Sequence, residues 1–335
     1  MLTYQAIGRK LVLVTRHWSP ATCHWSLVTG HWLLVTFHLS PVTRYLSLVT
    51  RHSIFDAWKE KESYMSMVNS EIVVLKDAAA LSFKAAEILV RCISETLSRK
   101  EQFSIALSGG STPKGLFSLL VEDDSFKNHI PWDKTHFFWG DERHVPPQDE
   151  QSNYRMADEI MLSKAHVRAE NIHRVQTGQP DAGKVAQDYE LELRTFFQLS
   201  AGQLPVFDFN LLGIGPDGHT ASLFPGTKAL YEHNRLVVAN WVERFKTHRI
   251  TMTAPVLNNA DTIIVLVSGQ EKAEILRQIL EGDHQPDLLP AQLIRPTHGR
   301  LTWLVDQAAA SRLSQKIQGS GVQGPKVGSF SGRNR

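Results

Sequence analysis

Cysteine is almost missing from this sequence: 335 residues carry only Cys23 and Cys92. Two thiols cannot build a disulfide framework or a four-ligand structural zinc site, so no metal site is expected and a packed core must hold the chain. No run of about 18 uncharged apolar residues occurs, which argues against a transmembrane helix. An excess of one charge is missing too. The 36 Lys+Arg nearly balance the 34 Asp+Glu, for a formal +2. Neither nucleic acid nor an anionic membrane is therefore an expected partner. No complete nucleotide signature occurs either. There is no phosphate loop ending in Gly-Lys-Ser/Thr. The two Gly-x-Gly-x-x-Gly spacings, 213–218 and 319–324, fall in the loop that presents Asp217 and His219 and in the Gly/Ser-rich tail, not in a dinucleotide fold. What is present, 42% hydrophobic and 21% charged residues, is the composition of a soluble protein of a reducing compartment. The length suits one large α/β domain with an extension, working as an enzyme or a small-molecule binder.

The ends differ from the middle. The first 55 residues hold no Asp or Glu but contain Arg9, Lys10, Arg16, Arg44 and Arg51. Within them runs a seven-residue repeat. Thr15, Thr22, Thr29, Thr36, Thr43 and Thr50 fall in step, as do His17, His24, His31, His38 and His52. Trp18, Trp25 and Trp32 follow the first three histidines. A coiled coil would need apolar a and d positions flanked by charge, whereas here Val-Thr pairs, Pro20 and Pro41 oppose a helix. A transit peptide, a histidine-rich metal tract and a translated repeat with no folded role all stay open, and the last is the expectation adopted. Met65 and Met67 precede the first globular pattern and read as natural starts. From 318 onward the chain is Gly/Ser-rich and basic, so a disordered tail is expected.

Between these ends, short apolar runs alternate with helical patterns. Strands are expected at 71–75, 103–107, 135–139, 207–212, 249–253, 263–267 and 301–305. Helices are expected at 78–97, from Pro113 with Thr112 as cap, and at 154–161, 182–197, 254–260 and after Gly269. Buried strands separated by amphipathic helices imply a parallel sheet covered on both faces, with ligands outside the carboxyl ends of the strands.

Three strand ends carry chemistry. After 103–107 come Ser108, Gly109, Gly110, Ser111 and Thr112. The glycines admit close approach of a ligand to the backbone, the hydroxyls can donate, and the following helix points its positive end at an anion. A tight turn without a ligand would use the same residues. After 135–139 come Gly140, Asp141, Glu142 and Arg143, which could orient a polyol and clamp a phosphate, or simply form surface ion pairs. After 207–212 comes a loop with Gly213, Gly215 and Gly218 that presents Asp217 and His219. A neutral imidazole is the natural base for activating water, and Asp217 could fix its tautomer.

Taken together, ALSGGSTP at 106–113, FWGDER at 138–143, LGIGPDGHTASLFP at 212–225, RITMT at 249–253, LPAQLI at 289–294 and the nearby Trp303 and Asp306 resemble the 6-phosphogluconolactonase family. The resemblance covers about 70–317. It implies a Rossmann-like parallel sheet flanked by helices on both faces, of the type shared with amino-sugar-phosphate deaminases and ribose-5-phosphate isomerase. It also implies hydrolysis of 6-phosphoglucono-1,5-lactone in the cytoplasm, with a sugar-phosphate lactone as the small-molecule partner and no cofactor. His219, helped by Asp217, would activate water. Gly109, Gly110, Ser111, Thr112, Asp141, Arg143, Lys246 and Arg249 would bind the substrate and its phosphate. Lys246 lacks the prolines expected between it and Arg249. The corresponding division is an extension at 1–66, a catalytic domain at 67–317 and a tail at 318–335. An amino-sugar-phosphate isomerase or deaminase is the rival reading, but its Asn-Glu pair is missing after His219. A non-catalytic sugar-phosphate-binding regulator is the other alternative.

Overall fold

The computed structural model describes residues 70–296 and 298–314, together with the strands Leu2–Ile7 (β1) and Lys10–Thr15 (β2). The chain divides into two units, Met1–Lys59 and Glu60–Arg335. In the first, β1 and β2 pair antiparallel, from Leu2 opposite Thr15 to Ile7 opposite Lys10. The rest of the repeat, Met65, Met67 and the tail from 318 lie outside the described residues.

The second unit is built on Ser70–Leu75 (β3), Phe103–Leu107 (β4), Thr135–Trp139 (β5), Asp141–Arg143 (β6), Ile172–His173 (β7), Phe209–Gly213 (β8), Val237–Val242 (β9), Thr247–Met252 (β10), Thr262–Val267 (β11) and Arg300–Asp306 (β12). Seven of these form one sheet in the order β3-β12-β11-β8-β4-β5-β7. Every pairing in it is parallel. β4 and β11 are buried at every position. That is the signature of strands covered on both faces, and it explains why they read as continuous apolar runs.

The principal helices are Ala78–Leu97 (α1), Ser111–Glu122 (α2), Ala182–Phe196 (α3) and Ala273–Glu281 (α4). α1 starts where Asp77 accepts a hydrogen bond from the Ala80 N–H at 2.9 Å. It buries Leu81, Ala85, Leu89 and Ile93 at helical spacing and packs on β3, β4, β11 and β12. α3 is capped in the same way by Asp181, which accepts from Gly183 and Lys184. Asx caps of this kind satisfy N–H groups that the first turn leaves orphaned.

Several expectations need correction. The strand containing Arg249 does not join the parallel sheet. It is β10, the centre of a small antiparallel sheet ordered β6-β10-β9. α2 begins at Ser111 rather than near Pro113, with Gly110 as its cap at φ +104°. The left-handed backbone at Gly110 turns the chain into the helix two residues early, so Thr112 lies inside the first turn and caps nothing. The expected helix at 154–161 is a short Asn153–Ala157 helix followed by a π turn over Asp158–Leu162. Phe207 forms only an isolated bridge with Ala260, so β8 starts two residues later than expected.

The sheet order sets the place of the site. From β4 the chain steps outward through β5 to β7, whereas β8, β11 and β12 lie on the other side. The order therefore reverses between the neighbours β4 and β8. At such a reversal the loops leaving the two strands part in opposite directions and open a crevice at the carboxyl ends.

Candidate active site

A cavity of about 280 Å³ occupies that crevice. Its wall includes Gly109, Gly110, Ser111 and Thr112 after β4, Asp141 and Arg143 from β6, His219 after β8 and Arg249 from β10. Residues more than a hundred positions apart in sequence thus meet around one space.

The loop after β8 is shaped by its glycines. A Cβ on Gly215 would lie 1.9 Å from both Nδ1 and Cε1 of His219, so the imidazole can rest there only against a glycine. The Gly215 N–H donates to the His219 carbonyl at 2.8 Å, and Gly218, at φ +79°, donates back to the Gly215 carbonyl at 3.1 Å. Thr220 Oγ1 donates to the Gly213 carbonyl at 2.9 Å. Ala221 then takes a left-handed conformation, φ +46°, in the cavity wall. A non-glycine residue there is strained, a cost that the surrounding bonds must hold in place.

His219 stacks on Phe224, ring centroids 4.2 Å apart at 29°. Its Nδ1 bonds the Asp217 carboxylate. A carboxylate only accepts, so the neutral ring carries its proton on Nδ1 and leaves the Nε2 lone pair available. Nε2 has no partner among the described residues. Burial alone would raise the Asp217 carboxyl, but the hydrogen bond and charge of His219 outweigh it and hold the group below the usual carboxylate range. The second oxygen of Asp217 lies 3.3 Å from Arg244 Nη1. Asp217 itself stands behind the imidazole rather than in the cavity wall.

The opposite wall depends on Glu142, which is only 1% exposed. Its carboxylate accepts from the backbone N–H groups of Arg143 at 2.7 Å, Asn153 at 2.8 Å and Tyr154 at 2.8 Å, and from Ser152 Oγ at 3.2 Å. Burial pushes its carboxyl up against the pull of those bonds. Glu142 therefore fastens the loop after β6 and points away from solvent. Asn153, held by that loop, donates from Nδ2 to the Asp141 carbonyl at 2.9 Å. Its Oδ1 occupies a point 1.9 Å from where a Gly109 Cβ would lie, which explains the first glycine of the pair. Asp141 Oδ2 accepts from Ser222 Oγ at 2.6 Å. Ser222 lies in an irregular turn with its hydroxyl committed to Asp141.

Arg143 and Arg249 stand directly opposite each other in the β6–β10 pairing, and both line the cavity. Like charges facing across strands repel. Arg249 is 9% exposed, and its buried Nε has no hydrogen-bond partner. Burial first, and then the charge of Arg143, push its guanidinium below the ordinary arginine range. Asp141 and Glu142 offset part of that charge, and Arg143 Nη1 donates to the Gln151 carbonyl. Neither guanidinium, however, forms an ion pair among the described residues, so together they can receive an oxyanion.

Two lysines change places relative to expectation. Lys246 is exposed and outside the cavity wall. It ends the Glu243–Phe245 turn in a left-handed conformation, φ +49°, where β9 turns into β10. Lys272 was missed, and it does line the cavity. Burial lowers its ammonium below the ordinary lysine value. The loop that delivers it is tied down by the buried Asp306, which accepts from Ser268 Oγ and from the N–H groups of Gly269 at 3.1 Å and Ala309 at 2.7 Å. The available signal was a glycine and a lysine just beyond the plainest strand in the sequence. Among the described residues, no three His, Cys, Asp or Glu side chains gather as a metal ion would require.

A family profile described as glucosamine-6-phosphate isomerases/6-phosphogluconolactonase matches residues 76–303. The 6-phosphogluconolactonase of Synechocystis is 40% identical over 243 residues, covering 72% of this chain and 98% of the relative. That of Haemophilus influenzae is 36% identical over 239 residues, covering 70% and 99%. Among solved structures, 6-phosphogluconolactonase from Trypanosoma cruzi matches with a TM-score of 0.65 at 33% identity, over 73% of this chain and 97% of its own.

Proposed function

Because this chain belongs to the glucosamine-6-phosphate isomerase/6-phosphogluconolactonase family, we propose that it hydrolyses 6-phosphoglucono-1,5-lactone to 6-phosphogluconate, with His219 as the base. One observation carries the reading: an imidazole with a fixed tautomer and an open Nε2 shares a cavity with two facing arginines that form no ion pair among the described residues.

The 6-phosphate is held by Arg143, Arg249 and Lys272, with Ser111, Thr112 and the N–H groups of Gly109 and Gly110 at the head of α2. Asp141 orients the sugar hydroxyls, and Lys246 drops out of the ligand set. Anchored at one end, the lactone presents C1 to His219. Nε2 takes a proton from water as the water oxygen bonds to C1. Asp217 stabilises the resulting imidazolium. As the tetrahedral intermediate collapses, the bond from C1 to the ring oxygen breaks and Nε2 returns the proton to that oxygen. No serine or cysteine nucleophile enters, because a lactone and an oriented water suffice. General base catalysis of this kind contributes about 10²–10⁴-fold, and the phosphate anchor adds the gain from fixed orientation.

The reading includes a cytoplasmic location, a small-molecule partner and no cofactor. Among the described residues no helix is long and apolar enough to cross a membrane. The deciding measurement is the rate of lactone opening with and without protein, alongside an amino-sugar phosphate control. Acceleration of the lactone alone is expected. Turnover of the amino sugar instead would replace this reading with the isomerase or deaminase one.

A further inference from the structure

We infer that Phe245 is a positioning residue for the phosphate grip: its ring holds the Arg249 guanidinium so that every donor of that group stays free for the substrate. This rests on the reading of Arg249 as a phosphate ligand.

An arginine is usually oriented by hydrogen bonds, each of which uses a donor that could otherwise hold a ligand. Arg249 has no such bond to protein among the described residues, although it is nearly buried. What touches it is an aromatic face: Arg249 Cζ lies 5.1 Å from the centroid of Phe245. A guanidinium over a ring is attracted by the negative π face and keeps its in-plane N–H groups available. The ring explains how a charged group can be kept in place with its donors unspent.

Phe245 is in turn fixed from other sides. Phe224 meets it edge-on, centroids 5.8 Å apart at 75°. Arg244 Cζ also lies 5.1 Å from its centroid. The ring is 41% exposed and lines the cavity, an unusual place for a large apolar side chain. Packing alone does not call for an aromatic ring there, since its burial is incomplete. A polarised ring beside a guanidinium does.

The test separates ring electrostatics from bulk. Phe245→Leu keeps most of the volume and removes the π face, whereas Phe245→Trp strengthens it. KM for 6-phosphoglucono-1,5-lactone should rise about fivefold in the leucine variant and stay near wild type in the tryptophan variant. KM for unphosphorylated glucono-1,5-lactone should change clearly less than KM for the phosphorylated lactone in the leucine variant. Pentafluorophenylalanine at 245 drains the ring's negative face without changing its shape, so it should reproduce the leucine result even if that variant folds poorly. Wild-type KM with the fluorinated ring, or an equal loss on both lactones, would overturn the inference. Arg249→Gln is the separate control. If it leaves KM for the phosphorylated lactone unchanged, the parent assignment of Arg249 has failed, whatever Phe245 does.

Discussion

Arg249 carries a cost that only a ligand removes. Its guanidinium is nearly out of water, faces Arg143 across the strand pair and leaves Nε unpaired. Because its proton affinity is lowered, the folded protein tolerates this charge less well than water does. Arg249→Gln should therefore raise the unfolding midpoint of the ligand-free protein, by about 2–4 °C per kcal/mol relieved, while weakening binding of the phosphorylated lactone. Thermal melts with and without 6-phosphogluconate would show both effects, and a lower ligand-free midpoint would contradict the argument. His219 makes a different demand. In the proposed mechanism its removal takes away the base but leaves the anchor, so His219→Ala should lower kcat by about 10²–10⁴-fold with little change in KM. An unchanged kcat would assign the proton transfer to another group. His219 stands out in the sequence by its place among glycines, whereas Arg249 is marked only by the resemblance of the Arg-Ile-Thr run. The pairing of Arg249 with Arg143 did not, because it depends on two strands far apart in the chain.

At the level of elements, legibility follows burial. β4, β8 and β11 announce themselves because both their faces are covered, which makes their sequences almost wholly apolar. β6 reads as a polar loop, Asp141-Glu142-Arg143, and becomes a strand only through its register with β10. β9 has Asn240 in its middle, whose side chain donates to the Ser222 carbonyl at 2.9 Å and serves the site rather than the sheet. Such strands are set by tertiary partners, which local pattern does not contain. The opposite edge of the large sheet has a feature of its own. His136 Nδ1 on β5 lies 3.0 Å from His173 Nε2 on β7, and His173 Nδ1 lies 2.6 Å from Glu192. Burial first, and then the charge of His173, push His136 below its ordinary value of 6.5, against a weaker opposite pull from Glu170. A lowered histidine binds its proton more readily in the unfolded chain, so stability falls as pH drops from about 6.5 toward the lowered value. His136→Asn should flatten that part of the midpoint-against-pH curve. An unaltered slope would contradict the lowered proton affinity of His136.

For the whole molecule, the fold class was readable because alternation of buried strands and amphipathic helices leaves few arrangements, and the site followed from where loops leave the strands. Volume and side-chain reach are not readable in sequence, so Lys272 emerges only from the structure, whereas Lys246 enters through the resemblance. The family profile begins at residue 76, and the cavity wall begins at Ser108. A chain starting at Met67 should accordingly retain the kcat and KM of the full-length protein. A large loss of activity would give the repeat-bearing segment a role. The reversal of strand order between β4 and β8 also has a consequence for how this architecture can change. In the proposed mechanism, anchorage comes mainly from the loop after β4, from β6 and β10 and from the loop after β11, while the proton-handling imidazole arrives on the single loop after β8. Rewriting that one excursion could convert the scaffold to a different reaction on the same class of phosphorylated sugars, with its hold on the charged end inherited intact.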